Sequence, residues 1–195
     1  MKDQIDQLNQ WLAGLESKNP AVWNLMPDIG LYMDQVQTYV DRQLSLYRRD
    51  EADRLLSPAM VSNYTKDNLI PRAEAKKYTP VHLALLIMIG TLKQVMSIPN
   101  LNQLLSACRE TSDVEALYAH FLQIQRDSLH ENADLVMAKI REMHHDGGDA
   151  AATEAALRNL ALELGIEARI RILIAEKIIG LLTPDSQVKT EKSGK

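Results

Sequence analysis

Between Ser57 and Leu105 the chain lays out a capped helix start, a turn, a basic excursion and a long apolar helix in one uninterrupted run. Ser57 suits a helix N-cap, because its hydroxyl can accept a hydrogen bond from a backbone N–H left free in the first turn. Pro58 then falls at the one position where a missing N–H does no harm. The helix that starts there is short and ends near Asp67. Asn68 sits where the chain needs a left-handed residue, a conformation Asn tolerates better than most side chains. Leu69-Ile70-Pro71 leaves extended, and Arg72 to Lys77 forms a small basic excursion read as a strand at Lys76-Lys77-Tyr78. Thr79-Pro80 repeats the cap-plus-proline start for a helix to about Met96. Leu83, Leu86, Ile87, Ile89 and Leu92 make it apolar nearly all round, as expected of the centre of a core. Ile98-Pro99 opens another short helix through Leu101, Leu104 and Leu105.

The rest of the chain is helical by the same tests. Ile5, Leu8, Trp11, Leu12 and Leu15 recur at helical spacing between about Gln4 and Leu15. Asn19-Pro20 interrupts that helix, and Met26-Pro27-Asp28 prepares the next, which carries Leu31, Met33, Val36, Tyr39, Val40 and Leu44. The charged connector from Arg48 to Arg54 is expected to be exposed. Ser112, with Glu115 three residues later, reads as a capping box opening the longest periodic segment, to about His144. There Leu122, Leu129, Val136 and Met143 recur every seven residues, so the helix should pack along a partner helix. Asp146-Gly147-Gly148-Asp149 ends it. Two further helices, about Ala150 to Leu164 and Ile166 to Leu182, are expected on either side of Gly165, read as a C-terminal cap. The second is apolar over so wide a surface that it wants two neighbours, which makes a homodimer the natural expectation. From Thr183 the composition is that of a disordered tail.

Composition agrees: one Phe and two Trp against abundant Leu, Ala, Gln and Glu, with few Gly and Pro, favour an all-α body. The single Cys108 cannot form an internal disulfide, and the first ten residues are too polar for a signal peptide. No apolar run reaches the roughly 20 residues of a membrane span, because Ile166 to Leu182 is interrupted by Arg169, Arg171, Glu176 and Lys177. A soluble, cytoplasmic protein is the expectation. No enzyme site can be assembled. His144-His145 beside Asp146 lacks metal-ligand spacing, Cys108 beside Arg109 is a lone thiol, and no nucleophile, base and orienting group converge. No metal and no cofactor are expected.

The net charge is −4, but it is unevenly spread: residues 42–93 carry nine basic against five acidic side chains, while the segments on either side are acidic. The basic segment coincides with the run from Ser57, whose order of helix, turn, basic excursion and helix is the layout of a winged helix-turn-helix. Duplex DNA is therefore the first partner to test.

The residues also carry a family resemblance over about Pro27 to Leu105. Leu56-Ser57-Pro58 through Asn63-Tyr64, then Asn68-Leu69-Ile70-Pro71, then Lys77-Tyr78-Thr79, resemble the winged helix-turn-helix of the MerR family. More narrowly, Pro27-Asp28-Ile29 with Leu31 to Val36, followed by Asn63-Tyr64, is similar to a bacterial family known only as a domain of unknown function. There are departures from the MerR pattern. Ser62 and Asn63 replace an Arg and a Tyr, Asn68 replaces the turn glycine, the wing-tip glycine is absent from Ala73-Glu74-Ala75, and the connector Tyr47 to Leu55 is longer than usual.

The resemblance implies a winged helix-turn-helix core with a small wing, and the helices read beyond it make the fold mainly helical with a C-terminal helical extension. The organisation is then an N-terminal helix (1–26), the winged domain (27–108), a helical assembly or dimerisation region (109–182) and a tail (183–195). It also implies a DNA-binding transcriptional regulator, which the apolar surface of the last helix would make a homodimer. Asn63 can offer a donor and an acceptor to an adenine edge, and Ser62 can reach bases or phosphate oxygens. Lys66, Arg72, Lys76 and Lys77 meet phosphates. Tyr64 and Tyr78 either offer their hydroxyls to the DNA backbone or pack into the core. The competing reading is a non-catalytic protein-interaction module that keeps the winged helix as a scaffold. A pocket enclosed by the C-terminal helices for an effector has no convergent polar set in the sequence to mark it.

Overall fold

The computed structural model describes residues 2–48, 55–106, 110–145 and 150–182. Seven α-helices account for most of them: α1 (Lys2–Ala13), α2 (Met33–Gln43), α3 (Pro58–Lys66), α4 (Pro80–Leu92), α5 (Ile98–Leu105), α6 (Thr111–His145) and α7 (Ala150–Leu181). Single turns of 3-10 helix at Leu15–Lys18, Trp23–Leu25 and Ser45–Tyr47 join the first elements. The fold is all-helical, and the only β pairing among the described residues is two isolated antiparallel bridges, Leu31 with Tyr78 and Glu74 with Lys77. The basic strand expected at Lys76-Lys77-Tyr78 is thus reduced to single bridges at Lys77 and at Tyr78.

α4 is the hub. Its residues His82 to Gly90 are buried in succession, as its all-round apolar sequence requires, and it packs against α2 and α6. Around it Val36, Val40 and Leu44 of the second helical segment, Val61 and Tyr64 of α3, Leu101 and Leu105 of α5, and Val114, Tyr118 and Leu122 of α6 close one core. Gly90 makes the approach of α2 possible, because a Cβ there would overlap Leu44 Cδ1. A second, smaller core lies further along α6, where Ala133, Val136 and Ile140 meet Ile5, Leu12 and Leu15 on one side and Leu160 of α7 on the other.

Several boundaries differ from those the sequence suggests, each for a local reason. α4 ends at Leu92 and α2 begins at Met33, leaving Leu31 free for its bridge to Tyr78. α6 starts at Thr111, and Asp113 in its first turn reaches back so that its Oδ2 accepts the Glu110 N–H at 3.1 Å, which puts the start two residues before the expected Ser112 and Glu115 pair. Gly165 is no cap at all. α7 runs through it from Ala150 to Leu181, since one interior glycine costs about 1 kcal/mol and the Ala, Leu and Glu around it are strong helix formers. The connector 49–54, Cys108, the turn 146–149 and the tail 183–195 lie outside the described residues. No helix of the described residues is long and apolar enough to cross a membrane.

Candidate nucleic-acid interface

α3 is built as its sequence implies. Ser57 Oγ accepts the Met60 N–H at 3.2 Å, with Pro58 in the first helical position. Val61 and Tyr64 turn into the core, which leaves Ser62, Asn63 and Lys66 on the exposed face. At the far end Asn68 adopts φ 57°, the Leu69 N–H donates to the Tyr64 carbonyl at 2.8 Å, and the Asn68 N–H donates to that of Thr65 at 3.3 Å. This is the Schellman closure, with Asn in the place usually taken by glycine, and buried Leu69 beside buried Tyr64 completes it. Asn102 of α5 clamps the same turn by donating to the Asp67 carbonyl at 2.6 Å.

The chain then turns back on itself between Glu74 and Lys77. The Lys77 N–H donates to the Glu74 carbonyl at 2.8 Å, and the two tip residues, Ala75 and Lys76, have φ of 48° and 61°. Two successive positive φ values give a two-residue hairpin of the type that usually carries Asn-Gly, so Ala and Lys hold it under strain. Its second arm is fastened to the body, because Leu31 and Tyr78 exchange both backbone hydrogen bonds at 2.9 Å. Gly30 allows this fit: a Cβ there would come within 2.7 Å of Lys77 Cβ.

α3 and the hairpin flank one open concavity of about 770 Å³, also bordered by α5 and by the first turns of α4 and α6. Lys66, Arg72 and Lys77 stand on it together, with Glu74 and Glu110 as its acidic members. Lys66, Arg72, Lys76 and Lys77 are exposed, and none is in an ion pair among the described residues. At the start of α4, His82 Nδ1 accepts the Thr79 N–H at 3.1 Å, so a His replaces the usual acid of a capping box and the neutral ring carries its proton on Nε2. Burial lowers the His82 pKa, against the opposing pull of the Arg72 and Pro71 carbonyls, and Nε2 is buried without a hydrogen-bond partner of full geometry.

The expected site residues are therefore divided. Ser62, Asn63, Lys66, Arg72, Lys76 and Lys77 are all on the surface, and Lys66, Arg72 and Lys77 share the concavity. Tyr64 is only 6% exposed in the main core, so its side chain is withdrawn from the exposed face of α3. Tyr78 is half-buried, edge-on to His82 at a centroid distance of 5.3 Å. Asn102 and His82 were not marked by the sequence as members of this region. The Thr79-to-His82 spacing is the one signal that points to His82.

The family model described as Domain of unknown function (DUF1836) matches residues 21–121, more than half of the chain. The chain belongs to the DUF1836 family. No curated protein and no solved structure matches this chain. The DUF1836 match takes in α2 to α5, the hairpin and the first turns of α6, and therefore the whole concavity. Its two ends meet, since Tyr118 donates its hydroxyl to the Ala21 carbonyl at 2.8 Å, and burial raises the Tyr118 pKa well above that of a free phenol. The second core and α7 lie largely beyond the DUF1836 match.

Proposed function

We propose that this protein binds duplex DNA as a MerR-like winged helix-turn-helix, with α3 as the recognition helix and the Glu74–Lys77 hairpin as its wing, and that it acts as a homodimeric transcriptional regulator. The observation that carries the reading is the gathering of Lys66, Arg72 and Lys77 around one open concavity, beside the exposed Ser62 and Asn63 of α3. Cations gathered around one concavity suit phosphates, whose condensed counterions they release on binding. Asn63 suits the paired donor and acceptor of adenine in the major groove. Two such heads on a symmetric dimer would meet half-sites one helical turn apart, about 34 Å.

Electrophoretic shift with random duplex at two salt concentrations tests this. Binding should weaken steeply as salt rises. Replacing Lys76 and Lys77 together with Ala should weaken binding to every sequence and flatten the salt slope by about 2, whereas Asn63→Ala should chiefly relax base preference. Absence of any shift at low salt, with the protein folded, overturns the proposal.

A second reading has its own support. An apolar cleft of about 730 Å³ runs between α1, α4, α5 and α6, with Trp11, Leu92, Leu104 and Ile124 among its walls. A surface of this kind favours a protein-interaction module in which the winged helix is only a scaffold.

A further inference from the structure

The last half of α7 presents an apolar stripe to solvent: Ile166, Ile170, Leu173, Ile174, Ile178 and Leu181 are each more than half exposed. The opposite side of the same helix is where Ile179 is buried and where α7 meets α5 and α6, so the stripe is the face that the described residues leave open. A run from Ile166 to Leu181 extends over about 22 Å of helix, and monomeric proteins seldom leave so continuous an apolar surface open.

The charges within the stripe say what covers it. Glu167, Ile170, Ile174, Lys177 and Leu181 follow one another at intervals of three, four, three and four residues, which is the seam of a coiled coil. Glu167 and Lys177 are both exposed and have no ion-pair partner among the described residues. In a parallel pair of such helices every seam residue meets its own copy, so Glu faces Glu and Lys faces Lys. In an antiparallel pair with its two-fold axis at residue 172, Ile170 meets Ile174 of the other copy and Glu167 meets its Lys177, twice each by symmetry. That arrangement satisfies Ile170, Ile174 and both Glu167–Lys177 pairs together, and it sets Leu181 at the edge of the seam opposite Glu163, whose carboxylate is already held by Lys139 at 2.6 Å.

We propose that α7 is the self-association surface of this protein and that two copies pair along it in antiparallel register, centred on residue 172. This deepens the dimer in the reading above, resting on it only for the dimer and not for DNA, and it is tested without DNA, so the two proposals fail separately.

Sedimentation equilibrium of the full chain should show a dimer. Glu167→Lys and Lys177→Glu, each alone, set like charges opposite each other twice per dimer and should raise Kd roughly tenfold or more, whereas the double exchange should restore it. Both side chains are exposed, so circular dichroism should find all three variants as helical as the parent. A monomeric parent at concentrations near 100 µM on the order-of-magnitude scale of weak association overturns the proposal. So does a dimer indifferent to the single exchanges, which is the result a parallel pairing or another surface would give.

Discussion

At the tip of the hairpin two residues without the freedom of glycine hold positive φ, Ala75 at 48° and Lys76 at 61°. An L-residue in that region gives up roughly 1–2 kcal/mol to contact between its Cβ and the carbonyl oxygen. The turn persists because both sides are fixed: Lys77 donates to Glu74 at the neck, and Tyr78 is fastened to Leu31. Such strain is often kept where a side chain must be presented, and Lys76 is the cation the turn carries outward. Ala75→Gly removes the contact without altering the charge. It should raise unfolding stability by about 1 kcal/mol in urea titration, after the entropic penalty of glycine is subtracted. A loss of stability would show that Ala75 does not hold the left-handed conformation in solution.

At the scale of the element, the sequence was most legible where a single residue type answers a single backbone need. Ser57-Pro58 starts α3, Asn68 closes it, and the unbroken apolar run of α4 is buried throughout. It was least legible where neighbours or competing local bonds decide. Gly165 has the identity of a helix terminator, yet nothing nearby offers α7 another path, and a Cβ at that position would meet no atom within 4 Å. The start of α6 moved from Ser112 and Glu115 to Glu110 and Asp113 because the same three-residue spacing of polar side chains occurs twice there, and spacing alone does not choose between them. In the site, the exposed cations of α3 and the hairpin could be anticipated, while Tyr64 was ambiguous until the helical phase set by Val61 was known. Gly90 is a position whose role belongs wholly to packing. Gly90→Ala should cost about 1–3 kcal/mol in chemical unfolding despite the better helix propensity of alanine, because Leu44 is fully buried and has no free space to withdraw into. The double variant with Leu44→Val should recover part of that loss, and simple additivity of the two effects would argue against direct contact.

At the scale of the whole molecule, α6 is the one helix of the described residues that contributes buried side chains to both cores. At 35 residues and 1.5 Å per residue it is about 52 Å long. Its first turns carry Val114, Tyr118 and Leu122 into the main core, and its later turns carry Ala133, Val136 and Ile140 into the smaller one with α1 and α7. Between them stands the buried Gln125, a polar break in the apolar seam. A polar side chain set between the two apolar clusters interrupts their packing, which makes this the natural place for cooperativity to divide. The smaller core, with fewer elements around it, should open first. Ile140→Ala removes a side chain only 1% exposed and should cost about 2–5 kcal/mol locally. Measured by native-state hydrogen exchange, protection should fall along α1, the last turns of α6 and the adjoining part of α7, while amides of α4 and of the first turns of α6 keep theirs. Equal loss of protection in α4 would mean that the two cores unfold as one and that α6 transmits stability along its whole length.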